Sequence, residues 1–191
     1  LAKLKDPLLI DNFLSQEDYE NLLKQIKNPK DFKYDAGFSR YLNDHRGLPV
    51  LKELSDKLTE TARKIFDSKT LLSTYTLFAH YEGQDPEPSL FKHKDSNACT
   101  YTLDMCVYQN DPWDLWVEDK NYTLYPNQAL AYYGEDQFHW RKKFPKPKTN
   151  KVAMIFFHFA EPDHWYFTKG SSYIDVIWKN ITEEEWKLKN E

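Results

Sequence analysis

The chain is poor in the residues that most folds use to turn and to cross-link, with 5 glycines and 2 cysteines in 191 residues. With so little glycine, and no Gly/Ser stretch to serve as a linker, the turns rest on Pro, Asn and Asp, as in "GQDPEP", "QNDP" and "YPNQ". The cysteines, Cys99 and Cys106, belong to no CxxC or other spaced framework. Read as members of one strand and separated by an odd number of positions, they point to opposite faces and cannot readily bridge. Reduced thiols in a cytosol-like compartment are the simplest reading. No charge of one sign dominates: 26 Lys and Arg against 30 Asp and Glu leave a formal net charge of -4. That balance gives no electrostatic case for binding nucleic acid or an anionic membrane, the local basic run Arg141 to Lys151 being the exception. No apolar run approaches a membrane span and no signal-peptide pattern opens the chain, so a cytoplasmic location is expected. On that reading the sequons at Asn121-Tyr-Thr123 and Asn180-Ile-Thr182 are chance matches.

Aromatic residues are plentiful, with 13 Tyr, 12 Phe and 6 Trp. Large rings pack well on pleated surfaces, which favours a β-rich fold. The length suits one domain over 1–191. A helical support is expected over about 1–70. Ser15 and Asp18 open a helix through "EDYENLLKQIK", with Tyr19, Leu22, Leu23 and Ile26 on one face, and Asn28-Pro29 stops it. Leu51, Leu54, Leu58, Ala62 and Ile65 give a second helix over 48–67. From about residue 71 the segments shorten and β-formers dominate, predicting strands at 71–81, 89–95, 99–108, 113–118, 121–125, 128–133, 151–159 and 172–177. Thr182 and Glu185 begin a short C-terminal helix, about 182–190. The expected class is a β-rich α+β fold, a β-sandwich or jelly roll on N-terminal supporting helices.

The chemistry is concentrated in "SLFKHKD", 89–95. Residues two apart in a strand face the same way, so His93 and Asp95 present an imidazole nitrogen and a carboxylate oxygen to one point. These are two legs of a 2-His-1-carboxylate set, whose open positions suit non-haem Fe(II). The third leg is a histidine from a distant strand, and His139 follows the apolar run "QALAYY". Standing alone, a His-x-Asp is as well explained by a surface pair on an edge strand.

The ordered set "HYEGQDPEPSLFKHKDSNACTYTLDMCVY", "YPNQALAYYGEDQFHW" and "NKVAMIFFHF" resembles the core of the 2-oxoglutarate/Fe(II)-dependent dioxygenases, in their prolyl 4-hydroxylase-like branch, over about residues 71–160. The resemblance implies a double-stranded β-helix, with the jelly-roll core over about 71–177. It implies iron held by His93, Asp95 and His139, with 2-oxoglutarate and O2 as cosubstrates and succinate and CO2 released on hydroxylation of a C–H bond. Asp95 favours hydroxylation over halogenation, since halogenases of this superfamily lack the carboxylate. The far carboxylate of 2-oxoglutarate needs a cation, and the family places an Arg or Lys at the start of the strand after the distal histidine. Lys151 sits there, on the same strand face as Ala153, Ile155, Phe157 and Phe159. Arg141 is the rival, because its planar fork suits carboxylates better. Tyr81 matches a tyrosine that some relatives hydrogen-bond to the same group, and Tyr101 and Thr102 are weaker candidates. The chain departs from the family in lacking Gly-Gly before the distal-histidine strand and in a longer spacing from His139 to Lys151.

The expected substrate is a peptide, a protein or a small amino-acid-like molecule, with no nucleic-acid or membrane partner. Trp113, Trp116, Trp140 and Trp165 are candidate clamps for it, "EGQDPEPS" is a candidate lid, and "FSRYLNDHRG", 38–47, a candidate rim. His80 and His158 read as satisfied core or edge histidines, His164 as part of a loop and His45 as part of a turn. Two other functions fit a jelly roll: a non-catalytic binding module, and a cupin-like or hydrolytic site using Zn.

Overall fold

The computed structural model describes residues 4, 6–83, 86–95 and 98–169. Along the chain the elements are strand β1 (Leu8–Ile10), helix α1 (Gln16–Gln25), a 3-10 turn (Pro29–Asp31), β2 (Lys33–Asp35), β3 (Arg40–Asp44), helix α2 (Pro49–Ile65), β4 (Leu72–Glu82), β5 (Leu90–His93), β6 (Tyr101–Gln109), β7 (Leu115–Val117), β8 (Lys120–Tyr122), β9 (Ala129–Tyr132), β10 (His139–Arg141), β11 (Lys151–Ala160) and helix α3 (Trp165–Lys169). Ser15 caps α1 by accepting the Asp18 N–H at 3.1 Å, and Pro49 opens α2, where a missing N–H costs nothing. Both helices fall where the apolar spacing puts them.

Two sheets carry the rest. Seven strands lie in the order β1-β9-β6-β11-β4-β3-β2, and four in the order β5-β10-β7-β8. From β4 onward the chain passes between the sheets, so that β9-β6-β11-β4 faces β5-β10-β7-β8, the arrangement of a jelly roll. Alternation along the strands splits the core into two layers. Phe78, Leu103, Met105, Ala153, Ile155 and Phe157 pack outward beneath Leu51, Leu54 and Leu58 of α2. Ala79, Tyr81, Cys106, Val152 and Met154 pack inward against Trp113, Leu115 and Val117 of the smaller sheet. Each leucine buried in full contributes about 1.5–3 kcal/mol, so α2 fixes the larger sheet from behind and leaves its inner face for the site.

The sequence did not anticipate β1, β2, β3 or β10. The segment 38–47 is a strand rather than a rim loop: β3 pairs with β4 through Tyr41↔His80 and Leu42↔Ala79, covering an edge that β4 would otherwise expose. The expected strand 99–108 begins at Tyr101, which leaves Cys99 just before it, and both thiols are buried and unbridged. His164 stands immediately before α3, in a stretch expected to be loop. The expected strand 172–177, the helix 182–190 and the Asn180 sequon lie outside the described residues. Among the described residues no helix is long and apolar enough to cross a membrane.

Candidate metal centre

β5 ends on His93 and β10 begins on His139, and the two are directly paired across the antiparallel strands. Paired residues share a sheet face, and the ring centroids stand 4.1 Å apart. Asp95 lies just past the strand end, where its N–H donates to the Gly134 carbonyl at 2.8 Å. That bond turns the carboxylate back between the two rings. His93 Nε2 and His139 Nε2 are each 3.5 Å from Asp95 Oδ1, longer than the roughly 2.7–3.2 Å of a well-formed N–H···O bond. Each Nδ1 instead faces a backbone carbonyl, Phe91 for His93 at 2.7 Å and Gln137 for His139 at 3.0 Å. A carbonyl only accepts, so Nδ1 carries the proton and Nε2 keeps its lone pair for the centre.

The donor set fits a metal. Two donors each ~2.1 Å from one ion stand ~3.0–3.4 Å apart for angles between octahedral and tetrahedral, close to the spacing found. Electrostatics agree. Burial works against ionisation of Asp95, but His139 and His93 overcome it and hold the carboxyl well below the usual carboxylate range. Burial, with His139 beside it, lowers His93. Burial also opposes a proton on His139, but Asp95 outweighs it and raises the group.

The centre opens into a cavity of about 80 Å³ between the sheets, lined among others by Phe38, Arg40, Tyr75, Tyr81, Cys99 and His158. A cavity of ~10–15 Å³ already holds one water, so this one has room for a few waters or one small organic acid. Tyr75 and Tyr81 lie six residues apart on β4 and so line the cavity from the same strand face, their backbones about 20 Å apart. At the Tyr81 end, buried Arg40 donates from Nη1 to Tyr81 Oη at 3.2 Å and from Nε to Asp35 at 2.9 Å. Arg141, two residues beyond His139 on β10, is also buried and donates to the Trp113 carbonyl. Its Nη2 has no hydrogen-bond partner among the described residues, nor has Oδ1 of Asp104. Asp104 lines the cavity from β6, accepts from Tyr132 Oη at 3.0 Å, and is pushed up to about 7 by burial, with Arg141 and His139 opposing.

Lys151 is not at this end. It is exposed and does not line the cavity. It does share the face of Ala153, Ile155 and Phe157, but that face packs on the helices rather than on the cavity. Arg40 lines the cavity, and sequence reasoning missed it; Arg141 does not line it but acts on Asp104, which does. Trp116 and Trp140 are no clamps either. Leu115, Val117, His139 and Arg141 point inward, so these tryptophans stack on the outer face at 5.7 Å, beneath Lys142 and Lys92. Trp113 is inside, edge-on to Tyr81 at 5.2 Å. Trp165 opens α3. Of the lid segment, residues 84 and 85 lie outside the described residues.

Tyr101 bonds Glu161 on the far side of β6, and Thr102 donates to the Cys99 carbonyl. His80 is satisfied by Tyr108 and Glu82, and His45 by the Thr76 N–H. His158 is buried, as expected of a core residue, but it lines the cavity with Cys99 and Tyr75. Burial takes its imidazole down to about 4. Gly134 was a further omission: a Cβ there would meet Asp95 Oδ2 at 2.5 Å and the Cys99 carbonyl at 2.5 Å. The one available signal was its place among so few glycines, just before the distal histidine.

The strand order, and a 2-His-1-carboxylate centre at the mouth of the smaller sheet, define a double-stranded β-helix with a candidate metal site. Comparison with solved structures gives the same fold. The chain is similar to the non-haem α-ketoglutarate-dependent epimerase SnoN of nogalamycin biosynthesis, with a TM-score of 0.64, 10% identity and coverage of 81% of this chain and 77% of that one. It is similar to an oxidoreductase of the 2OG-Fe(II) oxygenase family from Burkholderia pseudomallei (TM-score 0.62, 6% identity, 81% and 84% covered). A third is the viral collagen prolyl hydroxylase vCPH of Paramecium Bursaria Chlorella virus-1 in its 2OG complex (TM-score 0.54, 11% identity, 82% and 97% covered). No protein-family model matches the sequence, and no curated protein matches it. The chain therefore has the fold of the 2OG-Fe(II) oxygenases.

Proposed function

We propose that the chain is an Fe(II)- and 2-oxoglutarate-dependent oxygenase that hydroxylates a C–H bond of a prolyl or other amino-acid side chain. The observation that carries this reading is the centre itself: His93 Nε2, Asp95 Oδ1 and His139 Nε2 converge from one side, both imidazoles have their tautomer fixed from behind, and the donors are nitrogen and oxygen without sulfur. Such a set suits Fe(II) and leaves coordination positions open toward the cavity. A binding module has no need for that convergence. Bound iron with 2-oxoglutarate and O2 supplies oxidative decarboxylation to succinate and CO2, coupled to hydroxylation.

The chain's own part is to bind, orient and keep water out. Asp95 and the two histidines hold the ion. Arg40 with Tyr81 receives the far carboxylate of 2-oxoglutarate, and Arg141, with a buried Nη2 still to be satisfied, completes that end. Charge-assisted bonds to a carboxylate offset the cost of burying these guanidinium groups. Phe156, Leu77 and Leu90 line the wall and exclude solvent. The amino-acid substrate class rests on the likeness to vCPH. SnoN, of the same fold, is an epimerase, so fold alone does not choose between them.

The test is anaerobic Fe(II) titration with 2-oxoglutarate, following the weak visible charge-transfer band of the chelate. The band is expected in the wild type and absent in His139→Ala. Metal binding without the band would leave a metal site of another kind, such as Zn, and no binding at all would leave a binding module.

A further inference from the structure

The iron-type donors do not exhaust the cavity's ligating groups. At its Tyr75 end stand Cys99 and His158. His158 Nδ1 faces the Tyr75 carbonyl at 3.3 Å, so Nδ1 is the protonated nitrogen and Nε2 is the one able to ligate. The Cys99 thiol is buried and its sulfur lies 2.8 Å from Tyr75 Oη, which fixes where the sulfur points. One residue thus orients both groups, Tyr75 through its carbonyl and its hydroxyl. Ligand atoms of Asp95, Cys99 and His158 all lie within 4.8 Å of one another.

We propose that Asp95, Cys99 and His158 form a second metal site, selective for a thiophilic divalent cation such as Zn²⁺ and built on the carboxylate that the first site also uses. Thiolate, imidazole and carboxylate together are a zinc donor set, whereas the set without sulfur suits Fe(II). On binding, Cys99 gives its proton to solvent and the sulfur–metal bond takes its place. Because Asp95 serves both sites, Zn²⁺ at the second lowers Fe(II) occupancy at the first. The oxygenase would then read the balance of the two metals.

Co²⁺ is the probe, because a cobalt–thiolate bond gives a near-ultraviolet charge-transfer band that nitrogen and oxygen ligands do not. Anaerobic Co²⁺ titration is expected to give the band in the wild type, in Cys106→Ser and in His139→Ala. It is expected to be lost in Cys99→Ser and weakened in His158→Gln. Zn²⁺ affinity should fall by at least about tenfold in Cys99→Ser, since even changes behind a ligand cost that much. Serine is nearly isosteric and keeps the Tyr75 bond, and circular dichroism verifies the fold of each variant. Co²⁺ binding to the wild type without the band, or a band that survives Cys99→Ser, overturns the second site. Neither outcome touches the oxygenase reading, whose own signal is the Fe(II)–2-oxoglutarate band and its loss in His139→Ala.

Discussion

A single methyl group at residue 134 would collide with the candidate centre. The Cβ of Gly134→Ala would stand 2.5 Å from Asp95 Oδ2 and 2.6 Å from Thr102 Oγ1. Such overpacking costs about 1–3 kcal/mol, and here the movable partner is a candidate metal ligand. Gly134→Ala is therefore expected to weaken Fe(II) binding by tenfold or more, roughly the price of 1.4 kcal/mol, with a folded circular dichroism spectrum. Equilibrium dialysis against Fe(II) checks it, and unchanged affinity would show that Asp95 can step aside. Asp104 gives a second expectation at this scale. Burial on folding raises its carboxyl from the usual 3.8 to about 7. An acid raised by folding holds its proton more tightly in the native state, so its stability contribution is fully present below its unfolded value. It is lost as pH climbs through the folded value. At about 1.4 kcal/mol per unit, the loss between pH 5 and pH 8 is about 3 kcal/mol. Asp104→Asn keeps an acceptor for Tyr132 and removes the titration. The stability of wild type minus variant should fall by that amount between the two pH values in urea denaturation, and a difference that stays level would place Asp104 in an ionised, compensated state.

Among the elements, β3 carries a prediction and a lesson. It brings Arg40 beside Tyr81 by strand pairing, since Tyr41 opposite His80 sets Arg40 opposite Tyr81. Arg40→Met is expected to raise the 2-oxoglutarate concentration for half-saturation by at least tenfold, a loss of about 1.4 kcal/mol, while Fe(II) binding changes little. Lys151→Ala should do neither. If Arg141→Met has the effect and Arg40→Met does not, the carboxylate lies nearer β10. None of the four residues of β3 after Arg40 is fully buried, so no alternation announced the strand, and "FSRYLNDHRG" looked like a loop. In contrast, α2 was legible because Leu51, Leu54 and Leu58 repeat on one face. For β11 the strand was legible but not its inner face. Most of its residues on both faces are buried, so periodicity placed Lys151 on a core face without saying which core. His93 and Asp95 were readable from their two-residue spacing, although Asp95 lies just past the end of β5 rather than on it, and His139 from its place after an apolar strand. Cys99, Asp104 and Gly134 were not, because their roles arise from chain segments brought together by the two sheets.

For the molecule as a whole, the N-terminal segment is more than a support. β1 extends the larger sheet beside β9, α2 covers its back, and β3 delivers a charged group to the cavity. The jelly-roll strands alone would hold the candidate ligands without Arg40. The same two-sheet closure places one indole where both sheets meet. Trp113 is flanked by Tyr81 at 5.2 Å and Phe144 at 4.9 Å, lies 5.2 Å from the Arg141 guanidinium, and donates from Nε1 to the Lys142 carbonyl at 2.8 Å. Trp116 and Trp140 sit on the opposite side of their sheet. The chain would thus carry its own optical gauge of occupancy: a carboxylate arriving between Tyr81 and the guanidinium groups would change the field at Trp113, which is buried. Emission should shift on adding 2-oxoglutarate to the Fe(II)-loaded protein, survive in Trp116→Phe and vanish in Trp113→Phe, so that filling of the cavity can be followed by light before any substrate is known.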